Sequence, residues 1–323
     1  MKFRTYRYAF TDLEKMYKQI LINENQRDLQ RFIYRESTSE PLRDYRLVTV
    51  TFGTANAPYL AIRVTKELAN LLKNRYPLAA KAILFCMYMD DVVSGCHTLD
   101  ELIAIYHELK EAFASARFNI RKWCSNSDEL LRVIPEEERE LKAFTSSVKA
   151  LGVRWTPTND TFTYVFNVNI DSIPNTKRQL TSEIATMFDP LGWCAPISIS
   201  AKSLLQTLWR ENVDWDTPVD QKFVTKWQKI KSELHLVASV QIPRWVNYTP
   251  GDIMELHGFC DAAEPAYAAA IYIKNVTENT VRLFIAKARV TPIKEDINRV
   301  NLTIPRLELC GALRNCTFII EGQ

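Results

Sequence analysis

"ILFCMYMDDVVSG", residues 83–95, sets two adjacent carboxylates, Asp90 and Asp91, behind a run of apolar side chains. Within it Ile83, Phe85, Met87 and Met89 alternate with Leu84, Cys86 and Tyr88, so both faces of an extended chain would be apolar. That pattern predicts a strand central to its sheet, turning into a hairpin at the two Asp. Asp is a good turn former, and a turn alone would account for the pair. At the tip of a buried strand, however, two neighbouring carboxylates repel one another unless a cation or the turn geometry compensates. The stretch is either a turn or a metal site, and the rest of the chain has to decide.

A chain of 323 residues predicts two or three domains. With 47% hydrophobic and 24% charged residues it is globular, and low-complexity or repeat architectures are excluded. A net charge of +3 announces no nucleic-acid binder by itself but leaves room for a local basic groove. Seven Cys without a C-x-x-C, and four scattered His, predict reduced thiols in an intracellular, cytoplasmic setting rather than disulfides or zinc. No stretch reaches the roughly 18 apolar residues of a membrane span, and the start has no apolar signal core, so no membrane partner is expected.

A short strand is expected over residues 6–11, ending at Asp12. A β-rich run follows over 46–52, then a Gly-bearing loop and a helix with Pro58 in its first turn and Asn74 and Pro77 at its end. "HTLDELIAIYHELKEAFASARF" carries a capping box, Thr98 with Glu101, and an apolar stripe of Leu99, Leu102, Ile103, Tyr106, Leu109 and Phe113. "FNIRKW" and "VKALGVRWTP" read as two further strands. Residues 1–155 thus predict an α+β domain on a small antiparallel sheet. Residues 156–250 are helix-rich, with one helix to Met187, a break at Asp189–Gly192, a second from Ile197, and a third striped by Phe223, Trp227, Ile230 and Leu234. Beyond the joint "IPRWVNYTPGDIMEL", residues 251–323 predict strand, strand and helix of a new α/β unit.

If the strand ending at Asp12 neighbours the hairpin, then Asp12, Asp90 and Asp91 gather at one end of the sheet. Oxygen ligands without His or Cys suit Mg²⁺. Two such ions about 3.5–4 Å apart serve phosphoryl transfer, and a polymerase-type site is one arrangement of that kind.

The wording then becomes specific. "YMDD" (Tyr88–Asp91) resembles the signature of reverse transcriptases. "DLEKMY" is similar to that family's first catalytic motif, "TFGTANAPYLAIR" to its second, "FNIRKW" to the lysine-bearing strand, and "LGVRW" to the primer-gripping hairpin. Together with "TSEIATMFDPLGWCAPISISAKSLLQTLWRE" and "PRLELCGAL", the text resembles the pol polyprotein of BEL/Pao long-terminal-repeat retrotransposons over about residues 3–314.

The resemblance implies a reverse-transcriptase palm with partial fingers over 1–155. A thumb- or connection-like helical region would follow over 156–250, and a truncated ribonuclease H-like domain over 251–323. It implies that Asp12 and Asp90 bind two Mg²⁺ (or Mn²⁺) ions, that Asp91 assists, and that the Leu13 carbonyl completes the site. Tyr17 falls at the steric gate against a ribose 2′-hydroxyl; the plainer alternative is a core aromatic. Phe52 and Gly53 would lie near the incoming nucleotide, and Tyr88 and Met89 against the primer. Lys122 would donate a proton to pyrophosphate, unless it is merely a solvated charge. Arg117, Arg121, Lys122, Lys149, Arg154, Lys177 and Arg178 would suit the groove of an RNA or DNA template with its primer, and the substrates would be deoxynucleotide triphosphates.

Asp261 and Glu308 resemble two ribonuclease H acids. Further acids are expected beyond Glu308, so this part is expected to be inactive. Only eleven residues precede Asp12, where relatives carry most of their fingers. The alternative is therefore an inert retroelement remnant, or a protein that binds nucleic acid without catalysis. An aspartic peptidase, the label under which part of this region has been catalogued, would need Asp-Thr/Ser-Gly, and none of the eight Gly follows such a pair.

Overall fold

The computed structural model describes residues 2–12, 16–88, 91–140, 148–150, 153–293 and 303–321. β1 (Tyr8–Asp12) is followed by 3-10 turns and an exposed ribbon of β2 (Arg31–Tyr34) and β3 (Arg43–Arg46). Next come α1 (Ala57–Leu72), α2 (Pro77–Cys86), β4 (Met87–Tyr88), β5 (Asp91–Cys96), α3 (Leu99–Ser115), β6 (Cys124–Ser125) and α4 (Asp128–Val133). The middle contains β7 (Val148–Ala150), β8 (Val153–Thr156), β9 (Thr161–Thr163), α5 (Lys177–Ala185), α6 (Ala195–Arg210), α7 (Gln221–Glu233) and β10 (Ile242–Pro243). The last part is β11 (Met254–Ala262), β12 (Ala266–Asn275), β13 (Thr280–Val290) and α8 (Ile304–Glu321).

The first sheet runs β4-β5-β1-β6, all neighbours antiparallel. Alternation along β1 divides two cores. Phe10 joins Val92, Ile83, Leu102, Leu109, Phe113 and Trp123 beneath α1–α3. Ala9 and Val93 face the other way, against Trp155 and Phe162 of the second sheet, β10-β9-β8-β7. A side chain is excluded at Gly95, because a Cβ there would stand 2.0 Å from the Tyr8 carbonyl oxygen. A third core ties α5, α6 and α7 together through Leu180, Leu204, Leu208, Phe223 and Trp227.

The expected caps and stripes are present where sequence-local chemistry sets them. Thr98 accepts from the Glu101 amide at the start of α3, whose buried face is Leu102, Ile105, Tyr106, Leu109, Ala112 and Phe113. Pro58 lies in the first turn of α1. Helices end near Met187 and restart at Ala195, across the Asp189–Gly192 break.

The opening stretch is a correction. Residues 83–86 are not strand but the last turn of α2, and only Met87 and Tyr88 are extended before the hairpin. Nor is β4 central, since it is the edge of its sheet. Helical spacing explains the change: Ala79, Ala80 and Ile83 are buried on one face while Phe85 is 64% exposed. Two acceptor bonds from a distant side chain hold the helix start: Glu108 on α3 accepts from the amides of Leu78 (2.7 Å) and Ala79 (3.0 Å). A strand over 46–52 is also overturned, because β3 ends at Arg46 and only a bridge between Leu21 and Thr49 follows. Residues 118–122 of "FNIRKW" lie outside any strand, and pairing with β1 begins at Cys124. The C-terminal unit has three strands, as "HGFCDAAEPAYAAAIYI" folds back on itself at Ala263–Ala266.

Candidate functional site

Two backbone registers define the site. In the β4–β5 hairpin Tyr88 pairs with Asp91, and across β5 Asp12 pairs with Val92. Antiparallel pairing puts the end of β1 at the beginning of β5, which is the hairpin tip. Asp12 therefore stands opposite the residue next to Asp91. Asp90, Met89 and Leu13 lie outside the described residues. For Asp12, Tyr88 and Asp91 the strand positions are described but not the side chains. Carboxylate oxygens suit hard divalent cations in chemistry, and the register brings the backbone positions of Asp12 and Asp91 to one end of the sheet.

Beside this edge, the 3-10 turn Met16–Gln19 carries Tyr17. Tyr17 is 9% exposed and its ring lies 4.8 Å from that of Phe52, tilted by 49°. Phe52 keeps 53% of its surface open, so the pair presents Phe52 outward and holds Tyr17 beneath it. Gly53 follows with φ +87°, a left-handed turn that swings the chain into α1. Backbone bonds fasten the two segments: Val50 donates to Ile20, and Ile22 donates to Val48 (both 2.9 Å).

Lys122 is exposed and has a left-handed φ of +71°, in the loop that leads into β6. Arg117 is also left-handed, at φ +62°. Lys177 does not belong to a surface groove. It is 7% exposed, donates to the Val213 carbonyl at 2.9 Å, and lies 3.7 Å from the Trp209 ring centre and 5.3 Å from Trp215. Arg178 is exposed but paired in a two-point grip with Asp216, at 2.7 and 2.9 Å.

Three thiols are buried: Cys96 in β5, Cys124 in β6 and Cys194 just before α6. Cys96, Cys124 and Cys194 are each pushed up to about 12 by burial. All seven cysteines are free thiols.

In the C-terminal unit, α8 packs on β11 and β12. The approach is closest at Gly311, where a Cβ would stand 3.2 Å from both the Ala268 carbonyl oxygen and the Cys260 Cβ, and 3.9 Å from the Asp261 carbonyl oxygen. Glu308 precedes Gly311 by almost one turn, so helix and strand bring it to the level of Asp261. Both residues are exposed. Among the described residues, no group of three or more His, Cys, Asp or Glu is arranged to hold a metal.

Sequence reasoning missed the buried arginine clasp. Arg244 grips Asp160 and donates to the carbonyls of Phe3, Tyr6 and Arg7. Arg4 donates to Pro243 and Arg244, and to Leu283 and Phe284 of β13. Burial and the nearby Arg244 charge lower the Arg4 pKa to about 9. No local spacing announces partners 84 and 240 residues apart.

Comparison with known families separates two segments. Residues 4–126 match reverse transcriptase (RNA-dependent DNA polymerase), a segment that takes in β1 and the β4–β5 hairpin. Residues 176–320 match the Pao retrotransposon-like RNaseH-like domain. In that order the two matches make the chain a pol segment of the Pao/BEL retrotransposon family. The second match takes in α5–α7 as well as the three-stranded sheet and α8. A comparison with curated proteins finds no match. No helix among the described residues is long and apolar enough to cross a membrane.

Proposed function

We propose that the N-terminal domain is the palm of an RNA-directed DNA polymerase, with Asp12, Asp90 and Asp91 as its carboxylates. The observation that carries this reading is the register of Asp12 opposite Val92 in a sheet whose hairpin pairs Tyr88 with Asp91. In this reading Asp12 and Asp90 hold two Mg²⁺ or Mn²⁺ ions, with the Leu13 carbonyl, and Asp91 supports them. The bound ions supply activation of the primer 3′-hydroxyl and charge neutralisation on the phosphates. The hydroxyl oxygen bonds to the α-phosphorus of a deoxynucleotide triphosphate, the α–β phosphoanhydride bond breaks, and pyrophosphate leaves. Lys122 is the proposed proton donor to that leaving group.

The Tyr17–Phe52 pair has the nucleotide's sugar and base as its proposed neighbours. Phe52 is the accessible ring and Tyr17 the ring that fixes it, so discrimination against a 2′-hydroxyl depends on both. Tyr88 and Met89 are assigned to the primer end, and Gly53 to the turn that lets backbone approach the nucleotide. The helical region after β9 is proposed as thumb- or connection-like. For Asp261 and Glu308 we propose no hydrolysis by these two acids alone, because two-metal cleavage needs a fuller carboxylate set. Free cysteines throughout suit a reducing intracellular site of action.

Primer extension on an RNA template with deoxynucleotides and Mg²⁺ tests the reading. Extension that needs the divalent ion supports it. Extension unaffected by replacing Asp12 with Asn overturns the assignment.

A further inference from the structure

β13 is an edge strand, since its sheet runs β11-β12-β13. An edge leaves backbone groups unpaired unless something covers them. At residues 283–286 three groups from far along the chain do so in place of a strand. Arg4 Nη1 donates to the Leu283 and Phe284 carbonyls (both 2.8 Å), and Trp193 Nε1 donates to that of Phe284 (3.1 Å). The Ala286 amide donates to the Leu191 carbonyl (2.9 Å). Gly192 permits that approach, because a Cβ there would stand 1.8 Å from the Ala286 carbonyl oxygen.

Arg4 is 1% exposed, and its guanidinium lies over the rings of Trp193 (4.7 Å) and Phe284 (5.5 Å). Its other nitrogens reach the joint, Nε to the Arg244 carbonyl (3.1 Å) and Nη2 to that of Pro243 (3.2 Å). The backbone around it is fastened as well. Val246 donates to the Arg4 carbonyl (2.9 Å), and Arg244 donates to those of Phe3, Tyr6 and Arg7. Phe3 stands edge-on to Trp155 at 5.1 Å. β1 begins at the next residue, Tyr8, and runs between β5 and β6 to Asp12.

Arg4 belongs to the reverse-transcriptase match, whereas Trp193, Leu283 and Phe284 belong to the RNaseH-like one. Among the described residues, no helix or strand between residues 8 and 133 packs broadly on β11–β13. We propose that residues 3–7 are a strap coupling the RNaseH-like sheet to the strand that ends at Asp12, with Arg4 as its clasp. Loosening the β13 edge then loosens β1, and the reverse. Because such coupling is reciprocal, whatever firms the C-terminal sheet also firms the strand that carries Asp12. The coupling stands apart from the polymerase reading, since it concerns the backbone alone.

The test is amide hydrogen exchange, read by mass spectrometry on the full chain without substrate. Arg4→Met keeps an apolar stem of similar length but removes every donor to the four carbonyls. Exchange is expected to rise about tenfold in both β13 and β1, with α7 unchanged. Trp193→Phe keeps a ring and removes only the indole donor, so a smaller rise of about threefold is expected in the same two strands. A rise in β13 alone makes Arg4 a local edge cover and overturns the proposal. So does no rise in either strand, or an equal rise that includes α7, which marks a general loss of stability. Should Arg4→Met fail to fold, the Trp193→Phe pattern decides by the same criteria. Failure of the polymerase reading looks different: no primer extension, with the paired rise in exchange intact.

Discussion

Arg244 holds Asp160 at two points, Nε to Oδ1 at 2.5 Å and Nη2 to Oδ2 at 2.7 Å, with the guanidinium completely buried. Trp155 (3.0 Å) and Asn126 (3.3 Å) donate to the same carboxylate. Nη1 donates to the Phe3 and Tyr6 carbonyls and Nη2 also to that of Arg7, directly ahead of β1. The strand that ends at Asp12 is thus launched from a frame fixed by β8–β9 and the joint before the RNaseH-like sheet. Arg244→Met strands a carboxylate and three carbonyls, and is expected to cost about 3–5 kcal/mol. Urea unfolding measures it; Arg244→Lys is expected to recover only part, because an ammonium cannot reproduce the two-point fork.

Glu108 closes the start of α2 from another helix. Glu108→Ala leaves the Leu78 and Ala79 amides without their acceptor and is expected to destabilise the chain by about 1–2 kcal/mol. Glu108→Gln keeps an acceptor but loses the charge, and falls between. Thermal unfolding of the three proteins ranks them. Equal melting temperatures would remove this cap from the account of why residues 77–86 are helical.

The reach of the sequence follows from this contrast. Thr98 and Glu101, Pro58, and the Leu102–Leu109–Phe113 face are local signals, three or four residues apart, and each was legible. For "AILFC" strand and helix both satisfied the apolar pattern, and a side chain 30 residues away decided for helix. The expectation that Asp12 gathers with Asp90 and Asp91 was conditional on the strand ending at Asp12 neighbouring the hairpin, and β1 does pair with β5. Lys177 read as a groove cation because its two tryptophans lie 32 and 38 positions downstream.

Thiol reactivity separates exposed from buried cysteines. At pH 8 Cys260 and Cys316 are expected to react quickly with a disulfide reagent, and Cys96, Cys124 and Cys194 only on unfolding. The sign of the pH dependence follows. These three thiols ionise near 9 when unfolded and near 12 when folded, so above pH 9 the unfolded chain loses protons that the folded chain keeps. Stability is expected to fall as pH rises from 9 towards 12. Denaturant titrations across that range check it, with Cys→Ala variants flattening the decline.

The Tyr17–Phe52 pair predicts a division of labour. Phe52→Ala, at an exposed ring, is expected to raise KM for deoxynucleotides with little loss of stability. Tyr17→Ala removes a nearly buried ring and is expected to cost about 3 kcal/mol as well as relaxing discrimination against ribonucleotides. Parallel extension assays with the two nucleotide classes, alongside melting curves, distinguish the two variants.

The central claim is that the end of the first sheet is a two-metal polymerase site. Its most direct measurement is extension of a DNA primer on an RNA template by the wild type and by Asp90→Asn, in Mg²⁺, with folding checked by circular dichroism. The account predicts extension by the wild type and a fall of at least about 10³-fold in the variant, the scale on which metal and electrostatic stabilisation of phosphoryl transfer operates. Equal extension by the two proteins would contradict it.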